Sequence, residues 1–244
     1  NEFNYNRFGK LTALTIPPSV ITIANFAFNN FLSLEKITIP PSVRCIPKYS
    51  FKGCLNLKEI TIDPYKTEFE KDTFSDCSLL KHLIIGSSTT IIKQFDFNSF
   101  GKLTNITIPE SAIMVGVKSF NGCSTLVDVH IPSSVTNFGE SSFAGCSSLK
   151  QISIPSASTA IKKSTFEGCS SLTTIVIPSS TKIIEKSAFE GCISLTEITI
   201  PSSVQIIETN AFQGLRTLKI NGNIKNLPDN SFKNCSSLTQ IEIN

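Results

Sequence analysis

Ten phenylalanines recur at an almost constant interval along the chain, and this repeat constrains the fold more than any other feature of the sequence. Successive members are 23 residues apart except for the last step, which is 20. They are Phe28, Phe51, Phe74, Phe97, Phe120, Phe143, Phe166, Phe189, Phe212 and Phe232. A period of this size indicates a solenoid, in which each unit stacks on the next because it cannot bury its apolar face alone.

Other apolar positions follow the same period, and the unit reads LxxIxIPxSVxxIxxxAFxGCxx. A deletion of three residues between Gly214 and Leu215 explains the short last step, because every later column realigns when it is placed there. Leucine opens each unit, at Leu11, Leu34, Leu57, Leu80, Leu103, Leu126, Leu149, Leu172, Leu195, Leu215 and Leu238. We therefore predict residues 1–244 to form one solenoid domain of about eleven units, with both ends truncated from a longer chain.

The segment LxxIxI alternates apolar and polar residues, which is typical of a strand with one buried face. Proline follows in seven units and should end the strand, because it has no N–H to donate to a ladder. The glycine or asparagine near the GC pair should supply a tight bend. Identical strands one period apart must lie parallel, about 4.7–4.9 Å apart, whereas the phenylalanine side needs more width. We expect the stack to curve, with the strands on its concave face.

The repeated unit resembles the leucine-rich repeat of the BspA-like family, a 23-residue class of the Treponema type. The runs IPSSVTNFGESSFAGCSSL from Ile131 to Leu149 and IPSSVQIIETNAFQG from Ile200 to Gly214 match it closely. The resemblance implies a leucine-rich repeat solenoid, an α/β-type right-handed superhelix that is mostly β. It has one short parallel strand per 23-residue turn on the concave face, and extended chain with one-turn helices on the convex face. Residues 62–69 and 95–100 depart from the pattern.

The same resemblance implies a non-enzymatic protein that is displayed on a microbial cell surface or secreted. Such a protein would adhere to host matrix or host cell-surface proteins. The formal net charge of +3, with lysines scattered among acidic residues, does not favour nucleic acid as a partner. No run of about 18 apolar residues occurs, so we expect no membrane insertion by this segment. The sequence leaves the identity of the ligand and the oligomeric state open.

Seven of the eight cysteines share one column of the repeat, and Cys45 lies outside it. Stacked side chains in one column point in parallel, which is poor geometry for a disulfide, and a single file cannot converge on a zinc ion. We interpret these cysteines as buried thiols that pack as small apolar groups. A protein without a disulfide framework also suits the cytoplasm, so an intracellular leucine-rich repeat scaffold for protein–protein interaction remains the alternative.

Catalytic motifs are missing from the sequence. His82 and His130 belong to units separated by one intervening unit, and neither has an activated serine or cysteine beside it. No glycine-rich phosphate loop or HExxH pattern occurs. We predict that the protein is not an enzyme and has no catalytic, cofactor or metal site.

Outward-facing residues of the predicted strands are the best candidates for recognition, because the ladder spaces them rigidly while the core does not need them. Their variety is greatest in the third to sixth units. The predicted partner-binding patch consists of Lys58, Glu59, Lys81, His82, Ile84, Asn105, Asp128 and His130. An ordinary solvated sheet face is the alternative interpretation. Asn105 and Asn234 also begin glycosylation sequons, and a glycan on Asn105 would block the patch.

Overall fold

The computed structural model of the protein describes residues 10–70, 72–94, 97, 103–195, 198–215, 218–220, 232 and 241–243, with 218–220 and 241–243 described by their backbone alone. Contacts divide the chain into two compact units, each made of several repeats, and a single repeat is called a coil from here on. The first unit comprises Asn1–Thr89 and Phe97–Pro109, and the second comprises Thr90–Asp96 and Glu110–Asn244. A single domain over residues 1–244 stays a prediction.

Short strands of two to four residues account for the regular structure of the described residues. They are β1 (Ala13–Thr15), β2 (Lys36–Thr38), β3 (Cys45–Ile46), β4 (Glu59–Ile62), β5 (Glu68–Phe69), β6 (His82–Ile85), β7 (Ile91–Ile92), β8 (Asn105–Thr107), β9 (Met114–Val115), β10 (Asp128–His130), β11 (Asn137–Phe138), β12 (Ala160–Ile161), β13 (Ile183–Ile184), β14 (Thr199–Ile200), β15 (Ile206–Ile207), β16 (Leu218–Ile220) and β17 (Ile241–Ile243).

The first unit confirms the parallel stacking of the LxxIxI segments, which we call the first ladder. Its strands β1, β2, β4, β6 and β8 pair in that order, each residue with the one 23 positions later, as Ala13 with Lys36 and Glu59 with His82. Buried and exposed residues alternate along these strands, as in β4, where Ile60 and Ile62 are buried. The predicted strand, register and buried face are therefore all confirmed in this unit.

The second unit also contains first-ladder strands, β10, β14, β16 and β17. Strand β14 pairs with β16 in parallel, with Thr199 opposite Lys219, an offset of 20 residues. The next pair returns to an offset of 23, with Leu218 opposite Ile241. This register confirms the deletion of three residues after Gly214.

The return path differs from the prediction in its local structure. The VxxI segments form a second parallel ladder, with β3 pairing β5 in the first unit, and β7–β9–β11 and β12–β13–β15 in the second. The extended chain predicted for the return path is confirmed in these two-residue strands. Apart from a 3₁₀ turn at Phe97, the other described return segments are turns or irregular chain and not the one-turn helices that were also predicted. The second ladder forms because it lets each coil hydrogen-bond its backbone N–H and C=O groups to those of the neighbouring coils.

Proline limits the first-ladder strands as predicted, and two coils without it show the effect. Strands β2 and β8 stop at three residues, two positions before Pro40 and Pro109, whereas β4 and β6 reach four. Asp63 and Gly86 occupy the proline position in these longer coils. The Gly86 N–H donates to the Ile62 carbonyl at 2.9 Å, a bond that proline could not make.

The phenylalanine column forms a stack of rings inside each unit. In the second unit Phe120, Phe143, Phe166, Phe189 and Phe212 are fully buried. The centroids of successive rings are 5.2 to 5.9 Å apart, wider than the spacing of about 4.7–4.9 Å between paired strands. The sequence therefore predicted both the burial of these rings and the greater width on their side.

Between Phe28 and Phe74 and between Phe120 and Phe212, each ring of the column is flanked by two residues in the left-handed backbone conformation. One lies two positions after the phenylalanine, as at Gly168 with a φ of 71°, and confirms the predicted tight bend. The other lies two positions before it, as at Ser164 with a φ of 53°, and was not predicted. Residues with a Cβ adopt this conformation at a cost of about 1 kcal/mol or more. The burial of the ring between the two bends compensates for that cost.

We predict that Phe166→Ala lowers the free energy of unfolding by about 3–5 kcal/mol, because it leaves a cavity in the ring stack. Phe166→Leu should cost less, since most of the volume is retained. Phe26→Ala is the matched control, because Phe26 is 52% exposed. Urea denaturation of the purified chain measures all three, and an equal loss for Phe26→Ala and Phe166→Ala would contradict the buried stack.

Candidate functional site

A connected row of polar side chains crosses the outward face of the first ladder in the first unit. Glu59 Oε1 lies 3.3 Å from Lys36 Nζ, and Glu59 Oε2 lies 3.2 Å from His82 Nδ1. The other ring nitrogen of His82, Nε2, lies 2.8 Å from Thr107 Oγ1. These four residues come from β2, β4, β6 and β8, which are adjacent strands. Parallel pairing in register brings Lys36, Glu59 and His82 together, which are 23 residues apart in the sequence, and Thr107 lies 25 residues after His82.

Lysine and glutamate also pair one residue before this row. Lys58 Nζ lies 2.9 Å from Glu35 Oε2, and both side chains are well exposed to solvent. Exposed ion pairs contribute only about 0–1 kcal/mol to stability. The pairs therefore orient charged groups on the surface more than they hold the fold together.

The remaining predicted site residues of the first unit surround the row. Lys81 and Asn105 are exposed, and Ile84 is half-buried beside Thr61 and Thr107 in the register of the ladder. The Thr104 hydroxyl donates to Asn105 Oδ1 at 2.7 Å. Glu59, His82, Ile84 and Asn105 thus share the outward face of the first ladder, and Lys58 and Lys81 are exposed just before β4 and β6.

The other two predicted residues, Asp128 and His130, lie on β10 of the second unit, and both are exposed. They line a groove of about 660 Å³ in that unit, together with Gln151, Thr174 and Val176. The sequence did not predict this groove. Val176 was a signal for it, because it is an apolar residue at an outward position where threonine is the commonest residue.

The cysteine column is buried as predicted, and its thiols also make hydrogen bonds that were not predicted. Cys192 Sγ donates to the Phe166 carbonyl at 3.1 Å, one coil earlier, and Cys169 Sγ does the same to Phe143 at 3.2 Å. The buried members among the described residues are Cys54, Cys77, Cys123, Cys146, Cys169 and Cys192. None of these six cysteines forms a disulfide, and Cys235 lies outside the described residues. The thiol is therefore both a packing group and a cap on a core carbonyl.

Burial raises the pKa of three of these thiols, those of Cys146, Cys169 and Cys192, because the interior disfavours the thiolate. The pKa of Cys169 is raised to about 12, chiefly by desolvation. Desolvation, followed by the neighbouring cysteines, raises the pKa of Cys146 and Cys192 well above the usual value. Thiols in this state are poor nucleophiles and poor metal ligands. Among the described residues no group of three His, Cys, Asp or Glu side chains could hold a metal ion.

Comparison with known proteins agrees with this architecture. The model of the BspA type leucine rich repeat region matches in six copies, over residues 1–111, 90–219 and 159–244. The chain belongs to the BspA type leucine-rich repeat family. Proteins with leucine-rich repeats generally mediate protein–protein interaction and are typically non-enzymatic scaffolds. No match to a curated protein was found.

Solved structures give the same result for this BspA type protein. It is 31% identical to a leucine-rich repeat protein of T. pallidum, TpLRR, with 62% of this chain and 73% of that chain covered and a TM-score of 0.54. A leucine-rich repeat protein from Bacteroides ovatus is 24% identical, with 100% and 70% covered and a TM-score of 0.52. The pneumococcal vaccine antigen PcpA is 17% identical, with 96% and 79% covered and a TM-score of 0.52. The last two similarities show the fold alone.

The described part of the chain contains no helix that is both long enough and apolar enough to span a bilayer.

We predict that the protein loses stability at alkaline pH through its buried thiols. The folded pKa of Cys169 is about 12, above the ordinary value of 9.0, so its contribution is fully present below pH 9. Between pH 9 and 12 the unfolded chain binds fewer protons than the folded chain, and stability falls by about 1.4 kcal/mol per pH unit for each such thiol. Denaturation at pH 8 to 11 measures this slope.

Cys169→Ala is the matched variant for the alkaline experiment. It should make the fall between pH 9 and 11 shallower by the contribution of one thiol, whatever its effect on stability at pH 8. An identical slope in the variant and the original protein would contradict the assignment. Iodoacetamide should likewise label the thiols in denaturant and leave Cys169 unlabelled in the folded protein.

Proposed function

We propose that this chain is a non-enzymatic protein-binding module of a microbial cell-surface or secreted protein, and that it adheres to host matrix or host cell-surface proteins. The observation that carries the proposal is the Glu59–His82 row of the first unit, in which charged groups are held in place on adjacent strands. The partner contacts the outward face of the first ladder.

The geometry of that face supports recognition of a protein surface. Residues on adjacent strands are held in register by backbone hydrogen bonds, so Lys36, Glu59 and His82 keep a fixed order and spacing. Ordered, partly exposed charges of both signs favour a partner with the complementary pattern and disfavour others. Little conformational entropy is lost on binding when side chains are already oriented.

A surface location is proposed from membership of the BspA type family. The second candidate is an intracellular scaffold with the same binding face. The observation in its favour is the column of free, buried thiols, since secreted domains more often carry disulfides. Fractionation of the source cells distinguishes the two: recovery in the cytosol alone supports the scaffold.

We predict that changing Lys58, Glu59 and His82 together to alanine weakens binding to the cognate protein in a panel of immobilised matrix proteins by at least about tenfold. The unfolding midpoint should hardly change, because exposed ion pairs contribute about 0–1 kcal/mol each. The matched control changes Glu140, Lys163 and Glu167, exposed residues outside the row, to alanine. Raising the salt concentration should weaken binding further, because exposed charges are screened.

Two results would oppose this proposal. Equal binding by the original protein and the Lys58/Glu59/His82 variant would remove the row from the interface. Binding to no member of the matrix panel, by a folded protein, would argue against adhesion to host matrix.

A further inference from the structure

The first ladder of the second unit is interrupted along the edge of the groove. Between β10 and β14 the only pairing among the described residues is the single parallel bridge of Gln151 with Thr174. Residues 152–155 and 175–178 lie outside any strand. The corresponding residues of the first unit form continuous strands, with four paired residues between β4 and β6.

The apolar residues beside the interruption are buried, but less completely than their counterparts in the first unit. Ile152, Ile154 and Ile175 form the floor of the groove and are 7 to 8% exposed. Ile60 and Leu83, which hold the matching positions in the first unit, are 0% exposed. Beside the floor stands Val176, whose side chain is 80% exposed and lies on the strand face.

The groove also offers backbone groups for hydrogen bonding. Residues 152–154 and 175–177 do not use their N–H and C=O groups in a continuous ladder, which leaves these groups open to a ligand, although the coils remain paired at Gln151 and Thr174. These groups are spaced as in a strand, and another peptide backbone has the matching spacing. Backbone pairing at an open sheet edge is a common way to bind an extended peptide, with side-chain pockets giving the specificity.

The charges of the residues that line the groove indicate which side chains a bound peptide should carry. Among the lining residues Asp128 is the one carboxylate, and none is a lysine or arginine. His130 is the other ionisable group, and Gln151, Ser153 and Thr174 are neutral. A single negative charge at the rim, next to an apolar floor, is complementary to a cationic side chain flanked by apolar ones.

We propose that this groove binds an extended segment of a partner protein that carries a lysine or arginine between small β-branched apolar residues. The cation pairs with Asp128, the apolar side chains cover Val176 and the isoleucine floor, and the peptide backbone bonds to residues 152–154 and 175–177. The volume of about 660 Å³ lies within the range of about 300–1,000 Å³ found for ligand sites. This inference rests on the proposed function in one respect, that the partner is a protein.

The test uses the full chain and three fluorescent pentapeptides with blocked ends, followed by anisotropy. The probes are Thr-Val-Lys-Val-Thr, the same peptide with glutamate in place of lysine, and the lysine peptide with N-methylated valines. The lysine peptide should bind at least about tenfold more tightly than the glutamate peptide. N-methylation should also weaken binding, because it removes backbone donors.

Two variants connect the binding to the groove. Val176→Asn should weaken binding of the lysine peptide, because it removes an apolar contact without adding a charge, and Asp128→Asn should remove most of the preference for lysine over glutamate. Ile193→Asn is the matched control, because Ile193 is an exposed apolar residue of the same unit, 51% exposed, that does not line the groove. All three substitutions are on exposed side chains, so the unfolding midpoints should stay close to that of the original protein.

Several results would overturn the inference. Binding of the lysine peptide that is equal in the original protein and Val176→Asn would show that the peptide does not occupy the groove. Equal binding of the lysine and glutamate peptides would show that Asp128 does not select the cation. Sedimentation that reveals a dimer broken by Val176→Asn would assign the groove to a second copy of the chain.

Different results would contradict the groove proposal and the proposed function. If the lysine peptide does not bind the folded protein while the Lys58/Glu59/His82 variant loses a matrix partner that the original protein binds, the groove proposal is wrong and the proposed function stands. If the lysine peptide binds as expected but no matrix protein does, the groove proposal stands and host-matrix adhesion is wrong.

Discussion

Parallel register at an interval of 23 residues is the constraint on which the rest of each unit depends. Backbone pairing of one coil with the next places equivalent residues side by side, as Glu59 beside His82. The same pairing stacks the phenylalanine rings inside and the cysteine thiols against the carbonyls of the preceding coil. Core and surface therefore follow from one periodic arrangement, and no coil could bury its apolar residues without its neighbours.

The outward residues are free of that constraint, and this freedom is what makes recognition possible. Ile60 and Leu83 must be apolar to fill the interior, whereas Glu59 and His82 need only fit a strand. Leucine-rich repeats generally bind proteins, and the rigid order of such residues explains why this architecture suits that task. A flexible surface would lose more entropy to present the same groups.

The parts of the structure that could be predicted are those repeated in every coil. The strand, its parallel partner, the buried phenylalanine and the bend at Gly168 each recur with the period, so one unit is evidence for the others. The second ladder was missed because VxxI is too short to distinguish a two-residue strand from a turn. The groove was missed for a different reason: it depends on a local loss of pairing near Gln151, and residues 149–155 keep the regular pattern of the repeat.

The shortened coil of the second unit has a consequence for how such a protein changes over time. Removing three residues after Gly214 leaves Thr199 opposite Lys219, and the rings of Phe212 and Phe232 remain stacked at 6.2 Å. The missing length is absorbed in the connection that leads from the ring to the next strand. Insertions and deletions confined to such connections leave the order of residues on the outward face of the first ladder unaltered, so loop length and the pattern of that face can evolve independently.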